Sequence, residues 1–434
     1  MKNPVLFKEF FRYSTLSVLG ILGVSCYILA DTFFIAKGMG TDGLTALNLA
    51  LPAFNFTHGT GIMLGMGGAT KFSVAKSRGQ NADHIYTNTV YTAAVFSVVF
   101  MLLGIFFSEQ LAAFLGAEGR VLEMTSIYLK WLLLFSPAFI MNEILLCFVR
   151  NDSSPQLPMI AMLTGSFMNI LLDYIFIFPM DMGIFGAILA TGLSPIISIV
   201  LMLPHWIMKK NTFHFKISKP DFPLIGNEVS LGAPSFLAQV SAGIVMIVFN
   251  SLILTLEGNT GVAAYGVVAN IAFVVTAVFT GISQGVQPLL SRYHGTGNPK
   301  NVRTIFSYSV ITTLVLSAIF YLILFIYADP ITTVFNSEND PVLQSIAVVG
   351  LKLYFISIAF SGLNTLITVF FTSIEKALPA QILSVLRGLV LIIPLTFLLA
   401  AIWQMTGIWL AYPITEILVA LLGVVMYFKQ RNKT

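Results

Sequence analysis

Long apolar runs separated by short polar breaks follow one another along the chain. They lie near residues 12–36, 44–70, 86–107, 122–149, 158–178, 184–208, 229–254, 261–290, 304–327, 342–372, 380–402 and 405–427. A helix needs roughly 20 apolar residues to cross a bilayer, and each run meets that length. The runs are continuously apolar rather than alternating within segments of about ten residues, which selects helices over a membrane barrel. The pattern predicts an all-α, polytopic membrane protein of twelve transmembrane helices with short loops. The first apolar stretch is too long for a secretory signal and no small-residue cleavage site follows it, so it reads as a retained helix.

The longest polar connection, KKNTFHFKISKPDFPLIGNE at 209–228, falls almost at mid-chain. It divides the sequence into an N-terminal lobe (1–208), a cytoplasmic linker (209–228) and a C-terminal lobe (229–434), each lobe with six helices. The halves repeat. TDGL at 41–44 matches NTGV at 259–262, and AKSRG at 75–79 matches SRYHG at 291–295. Leu129, Lys130 and Asn142 meet Leu351, Lys352 and Asn364, and Thr191 meets Thr415. Two pseudo-symmetric lobes of like orientation are a layout suited to alternating access, although duplication could also simply enlarge a stable bundle. Pro52, Pro137, Pro195, Pro234, Pro288, Pro394 and Pro413 lie in or near spans, where proline can kink a helix.

Composition excludes a soluble domain. Hydrophobic residues make up 57% and charged residues 10%, with a mean hydropathy of +0.88, against about 45–50% and 25% in soluble proteins. The net charge of +4 and the lack of basic runs interleaved with aromatics give no sign of a nucleic-acid partner. Membrane lipid is the expected surrounding. Cys26 and Cys147 both fall in apolar runs, so neither a disulfide framework nor a thiolate metal site is expected.

Placing both termini in the cytoplasm puts 18 of the 23 basic residues inside, among them Lys2, Lys71, Lys76, Arg150, Lys209, Lys210 and Lys433. Acidic residues such as Asp42, Glu118, Asp181, Glu257, Glu338 and Asp340 then populate the outer loops. This asymmetry supports cytoplasmic termini.

Four acids sit well inside spans: Asp31, Glu143, Asp173 and Glu416. Each costs at least a few kcal/mol in lipid unless paired, protonated or facing a wet cavity, so a function is the first reading. Asp31, Asp173 and Thr191 lie at depths that differ by only ~3 Å at 1.5 Å per residue. They can share one layer. Asn169 precedes Asp173 by four residues and stacks on the same helix face. Two carboxyls in such a layer would titrate as a coupled unit nearer physiological pH, which is what a proton-coupled carrier needs; the alternative is that each only fixes local packing. Glu143 could meet a cationic substrate or pair with Arg150. Glu416, replaced by Gly192 in the first half, reads as structural. Lys130, Lys352 and Arg387 are expected to snorkel to the headgroups, and His58 reads as a hydrogen-bonded packing residue rather than a proton relay. Phe and Met side chains could line an apolar cavity, with Tyr27, Phe34 and Phe176 beside Asn142 and Glu143 as candidate substrate contacts.

No GxxxxGK[ST], HExxH, GxSxG or paired CxxC motif occurs, so neither an enzyme nor an ATP-driven pump is expected, and no cofactor. A membrane-embedded lipid transferase would want an acidic DDxxD-type cluster, which is also absent.

The segments ADTFFIAKGMGTDGLTALNLALP (30–52), GGATKFSVAKSRGQ (67–80) and MNILLDYIFIFPMDMGIFGAILATGLS (168–194) resemble the multidrug and toxic compound extrusion (MATE) family, and the similarity runs along the whole chain. The Asn-x3-Asp of the fifth span, followed eighteen residues later by Thr, places the resemblance in the DinF-like branch and among its drug exporters. That resemblance implies a coupling-ion site, for H⁺ or Na⁺, made of Asp31, Asn169, Asp173 and Thr191. The NorM-like branch has acids in the C-terminal lobe where this chain has Asn250 and Asn364, which puts a second cation site there in doubt. The implied protein is a bacterial inner-membrane antiporter, functional as a monomer, that exports bulky, amphipathic, mostly cationic drugs. More distant relatives flip lipid-linked saccharides; that work calls for a strongly cationic cleft, and few bases lie deep in this sequence.

Overall fold

The structure, a computed structural model, describes residues 4–336 and 339–431. Lys2, Glu338 and Lys433 therefore lie outside the described residues. Among those described there are helices and no strands. In chain order they are α1 (Pro4–Ser77), α2 (Asp83–Phe114), α3 (Gly119–Leu134), α4 (Ser136–Asn151), α5 (Gln156–Ile177), α6 (Gly183–Met202), α7 (Pro204–Ile207), α8 (Phe222–Gly295), α9 (Pro299–Ile326), α10 (Ala328–Phe335), α11 (Pro341–Tyr354), α12 (Ile358–Ser373), α13 (Ala377–Val385) and α14 (Ile392–Arg431). A 3₁₀ turn, Phe355–Ser357, joins α11 to α12, and a π-helical turn, Leu386–Val390, follows α13.

Among the described residues eight helical stretches are long and apolar enough to cross a membrane, nine if α3 and α4, bent by 49° at Phe135, count as one. Three of these are much longer than one crossing needs, and each contains one non-helical residue: Gly40 in α1, Gly258 in α8 and Gln404 in α14. Counting each broken helix as two crossings and the bent α3–α4 pair as one gives twelve among the described residues, the number of apolar runs in the sequence. Gly40 has φ 65°, ψ −151° and Gly258 has φ 62°, ψ −155°, a backbone region that only glycine enters without strain. The two lie 218 residues apart, the same offset that relates TDGL to NTGV. The repeat in sequence is thus also a repeat in backbone geometry.

The chain folds as two compact units. One comprises Thr15–Val240 and Ser291–Gly297, the other Met1–Ser14, Ser241–Leu290 and Asn298–Thr434. In the first, one apolar core gathers Leu64, Phe72, Ile144, Phe148 and Phe213, and a second gathers Ile35, Leu129, Leu132 and Ile188. In the second unit Phe306, Phe370 and Tyr427 pack together with centroids 4.7–5.1 Å apart.

The polar connection after α7 packs on the first unit. Phe213 is fully buried against Phe72, Tyr86, Phe148 and Trp206, with centroids 4.8–5.4 Å away. Asp152, also buried, ties the same stretch down. It accepts from His205 Nε2 at 2.8 Å, from Thr212 N at 2.8 Å, from Thr212 Oγ1 at 2.5 Å and from Lys76 Nζ. Farther along, Lys216 pairs with Asp83, and Asp221 N donates to Asn88 Oδ1 at 2.8 Å.

Burial raises the Asp152 pKa, but the hydrogen bonds from His205, Lys76 and Thr212 outweigh it and hold the carboxyl below its ordinary value. A depressed acid stabilises the fold fully above its unfolded pKa of about 4 and loses that contribution as pH falls through the folded value. Asp152→Ala leaves Lys76 and His205 without their partner, and losing one side of a buried pair costs about 3–5 kcal/mol. The variant is expected to unfold at lower temperature at neutral pH and to be cut faster by trypsin at Lys209, Lys210 and Lys216. An unchanged digestion rate would show that the clasp does not hold the segment.

Candidate functional site

Three helices of the first unit bring the predicted ion-site residues together. Asp31 comes from the first part of α1, Asn169 and Asp173 from one face of α5, and Thr191 from α6. All four are buried, Asn169 and Asp173 completely. The packing of α5 on α6 depends on small residues: Ser194 Oγ donates to the Gly165 carbonyl at 2.9 Å, which draws the two helices close. With its amide nitrogen turned toward α5's own next turn, Asn169 donates to Asp173 Oδ2 at 3.1 Å, and its oxygen accepts from Thr191 N at 3.3 Å.

The carboxyls of Asp31 and Asp173 approach within hydrogen-bonding reach. Asp31 Oδ1 and Asp173 Oδ1 are both buried without a donor. Two ionised carboxylates only accept, so the contact is satisfied by a proton on one of them or by a cation between them. The atoms left open here, Asp31 Oδ1, Asp173 Oδ1 and Thr191 Oγ1, are all oxygens, which suits a hard monovalent cation as well as a proton.

Tyr128 of α3 was missed by the sequence reading. Its buried phenol comes up to Thr191 and lies close to both aspartates. One tyrosine in an apolar run carries no signal of its own; only the folding of α3 against α6 reveals it. Tyr27, one turn before Asp31, stands near Asp31, Asp173 and Glu143.

The other candidate contacts are spread more widely. Glu143 sits where Gly61 and Gly65 let α1 lie against α4, since side chains there would press on its Cβ and carbonyl. Its Oε1 is 3.9 Å from His58 Nε2 and its side chain is 20% exposed. Neighbouring Asn142 has a buried Oδ1 with no partner. His58 packs edge-on to Phe54, centroids 5.5 Å apart. Its Nδ1 is buried without a partner, so the hydrogen bond expected of it is not made at that nitrogen. Phe34 joins Tyr174 and Phe178 in an aromatic group, centroids 6.0–6.2 Å from it. Phe176 turns its Cβ toward Gly186 of α6.

Arg387 does not snorkel. Its Nε donates to Glu416 Oε1 at 2.6 Å, its Nη1 to Thr365 Oγ1 at 2.9 Å and its Nη2 to Ser361 Oγ at 2.6 Å. The sequence reading treated Arg387 and Glu416 separately, and the pairing corrects it: a buried carboxylate 29 positions away holds the guanidinium more strongly than distant headgroups could. Glu228 was also overlooked. It is 1% exposed near the start of α8 and accepts from Thr89 Oγ1 at 3.1 Å.

Comparison with known proteins matches this arrangement to one family. The MatE family model covers residues 17–175 and 234–398. The multidrug export protein MepA of Staphylococcus saprophyticus is 28% identical over 435 residues, covering 99% of this chain and 95% of that protein. The protein of the same name from Staphylococcus aureus strain MSSA476 is 27% identical over 436 residues, covering 100% of this chain and 95% of its own length. Among solved structures, the outward-facing conformation of a multidrug resistance MATE family transporter superposes with a TM-score of 0.91 at 21% identity, covering 98% of this chain and 97% of the other. The Vibrio cholerae MATE transporter VcmN, as a point mutant, gives 0.91 at 20% identity, covering 99% and 98%. With helices of membrane-crossing length throughout and the family model matched in both halves, the chain belongs to the MatE family of multi-pass membrane transporters.

Proposed function

We propose that this transporter is a multidrug efflux antiporter of the bacterial cytoplasmic membrane, with both termini in the cytoplasm, acting as a monomer. It exchanges H⁺ or Na⁺ for amphipathic, mostly cationic compounds by alternating access. The observation that carries the reading is the pair of buried carboxyls, Asp31 and Asp173, with unsatisfied oxygens and an amide and a hydroxyl beside them. Ion capture from outside changes the charge of that cluster and so the balance between conformations; a ligand shifts such a balance only by its differential affinity for the two states. Asn169 and Thr191 complete the ion site. On the cargo side, Glu143 supplies negative charge next to Asn142, and Tyr27, Phe34 and Phe176 supply aromatic surface. The staphylococcal relatives are named multidrug export proteins, which supports the drug-export part of the reading.

The test is reconstitution in liposomes with a fluorescent cationic dye, imposing a pH gradient and a sodium gradient separately. Export is expected under at least one of them. No export under either, in vesicles shown to contain folded protein, would sink the antiport reading.

A further inference from the structure

The second unit contains a polar cluster that the ion site does not use. Glu416 of α14 is completely buried, and each of its carboxylate oxygens is taken: Oε1 by Arg387 Nε at 2.6 Å and Oε2 by Asn364 Nδ2 at 2.7 Å. Asn364 Nδ2 also donates to the Glu416 carbonyl at 2.9 Å. Thr365 and Ser361 of α12 accept from the two ends of the guanidinium. Arg387 stands in the π-helical turn Leu386–Val390; the extra residue in such a turn shifts the helix register and re-aims its side chains.

The first unit's carboxyls face each other with open oxygens, whereas this carboxylate has none. We propose that Arg387 is a tethered counter-cation, occupying beside Glu416 the place a mobile cation would otherwise take, so that this unit neither binds nor releases a coupling ion. Coupling then belongs to the Asp31–Asp173 pair alone. The inference rests on that reading of the first unit and is tested separately from it. The titratable groups facing Glu416 are Arg387 from the π turn, Tyr412 from α14 itself and Tyr354 from α11, which stacks on Tyr412 with centroids 4.7 Å apart; Tyr265 of α8 lies beyond them. Arg387 is the one cation among them. A buried carboxylate deprived of it would have to take up a proton or a metal cation, because its charge cannot stay uncompensated away from water.

Infrared difference spectra of the purified protein, recorded on pH and sodium jumps, read carboxyl groups directly. The set comprises wild type, R387Q, the double variant R387Q/E416Q and D173N. Wild type and the double variant are expected to give the same carboxyl signals, because Glu416 exchanges nothing. R387Q is expected to gain a carboxyl signal that the double variant lacks. A wild-type signal that disappears in R387Q/E416Q overturns the proposal. So does an R387Q chain that elutes and unfolds like wild type yet gains no signal. If R387Q fails to fold, the comparison of wild type with the double variant decides alone, since neutralising both partners of a buried pair is far better tolerated than removing one. Loss of the Asp31–Asp173 reading shows differently, as D173N spectra identical to wild type with Glu416 still silent.

Discussion

Gradient-driven export falls to the level of empty vesicles in Asp173→Asn, at matched insertion and with an unchanged elution profile. The substitution keeps the volume and leaves an oxygen to accept from Asn169, which now donates at 3.1 Å, so α5 and α6 have no reason to part. What it removes is the second charge. With Asp31 alone, the site loses the two facing oxygens whose occupation by a proton or sodium ion distinguishes one state from the other. A ligand with equal affinity for both states shifts nothing, however tightly it binds. Asp31→Asn is expected to behave alike, and the double variant no worse than either single one, because residues that act as a unit do not add. Dye moving down its own gradient can persist in these variants. Wild-type-like export against a dye gradient in Asp173→Asn would end the proposed role of the pair.

A loss of stability that no side-chain adjustment can relieve is expected where α8 crosses the second part of α1. A Cβ on Gly67 would fall on the carbonyl group of Glu228, and one on Gly232 on the carbonyl group of Met63. Both obstacles are backbone, so no rotamer change relieves them and the helices must separate. Overpacking of this kind costs about 1–3 kcal/mol for a small side chain and more for a branched one. Separation would also open the burial of Glu228, whose Oε1 already lacks a partner. Gly232→Ala should therefore lower the unfolding temperature in detergent, and Gly232→Val should give little folded protein. Gly59→Ala serves as the control, because its neighbours are the side chains of Phe236 and Gln239, at 3.2 and 3.3 Å, which can yield. Equal unfolding temperatures for Gly232→Ala and wild type would refute the close crossing.

The sequence by itself determined the class of the protein and much of its plan. Continuous apolar length is dictated by the bilayer, so twelve runs were visible without any contact being known. The repeat was equally legible, and Gly40 and Gly258, just before TDGL and NTGV, share one positive-φ conformation. Asp31, Asn169 and Asp173 stood out because ionisable and amide groups are costly in such runs, and Thr191 because its depth matches theirs and the family resemblance includes it.

Tertiary structure decided which groups meet across helices. Arg387 and Glu416, Tyr128 and Thr191, Phe213 and the aromatic group around Phe72, and Glu228 beneath Thr89 were each unremarked or misassigned from sequence. The reason is physical. In a water-soluble helix the polar stripe marks the outside, whereas lipid is as apolar as the protein core, so a membrane helix that is hydrophobic all round does not disclose which face packs on a neighbour.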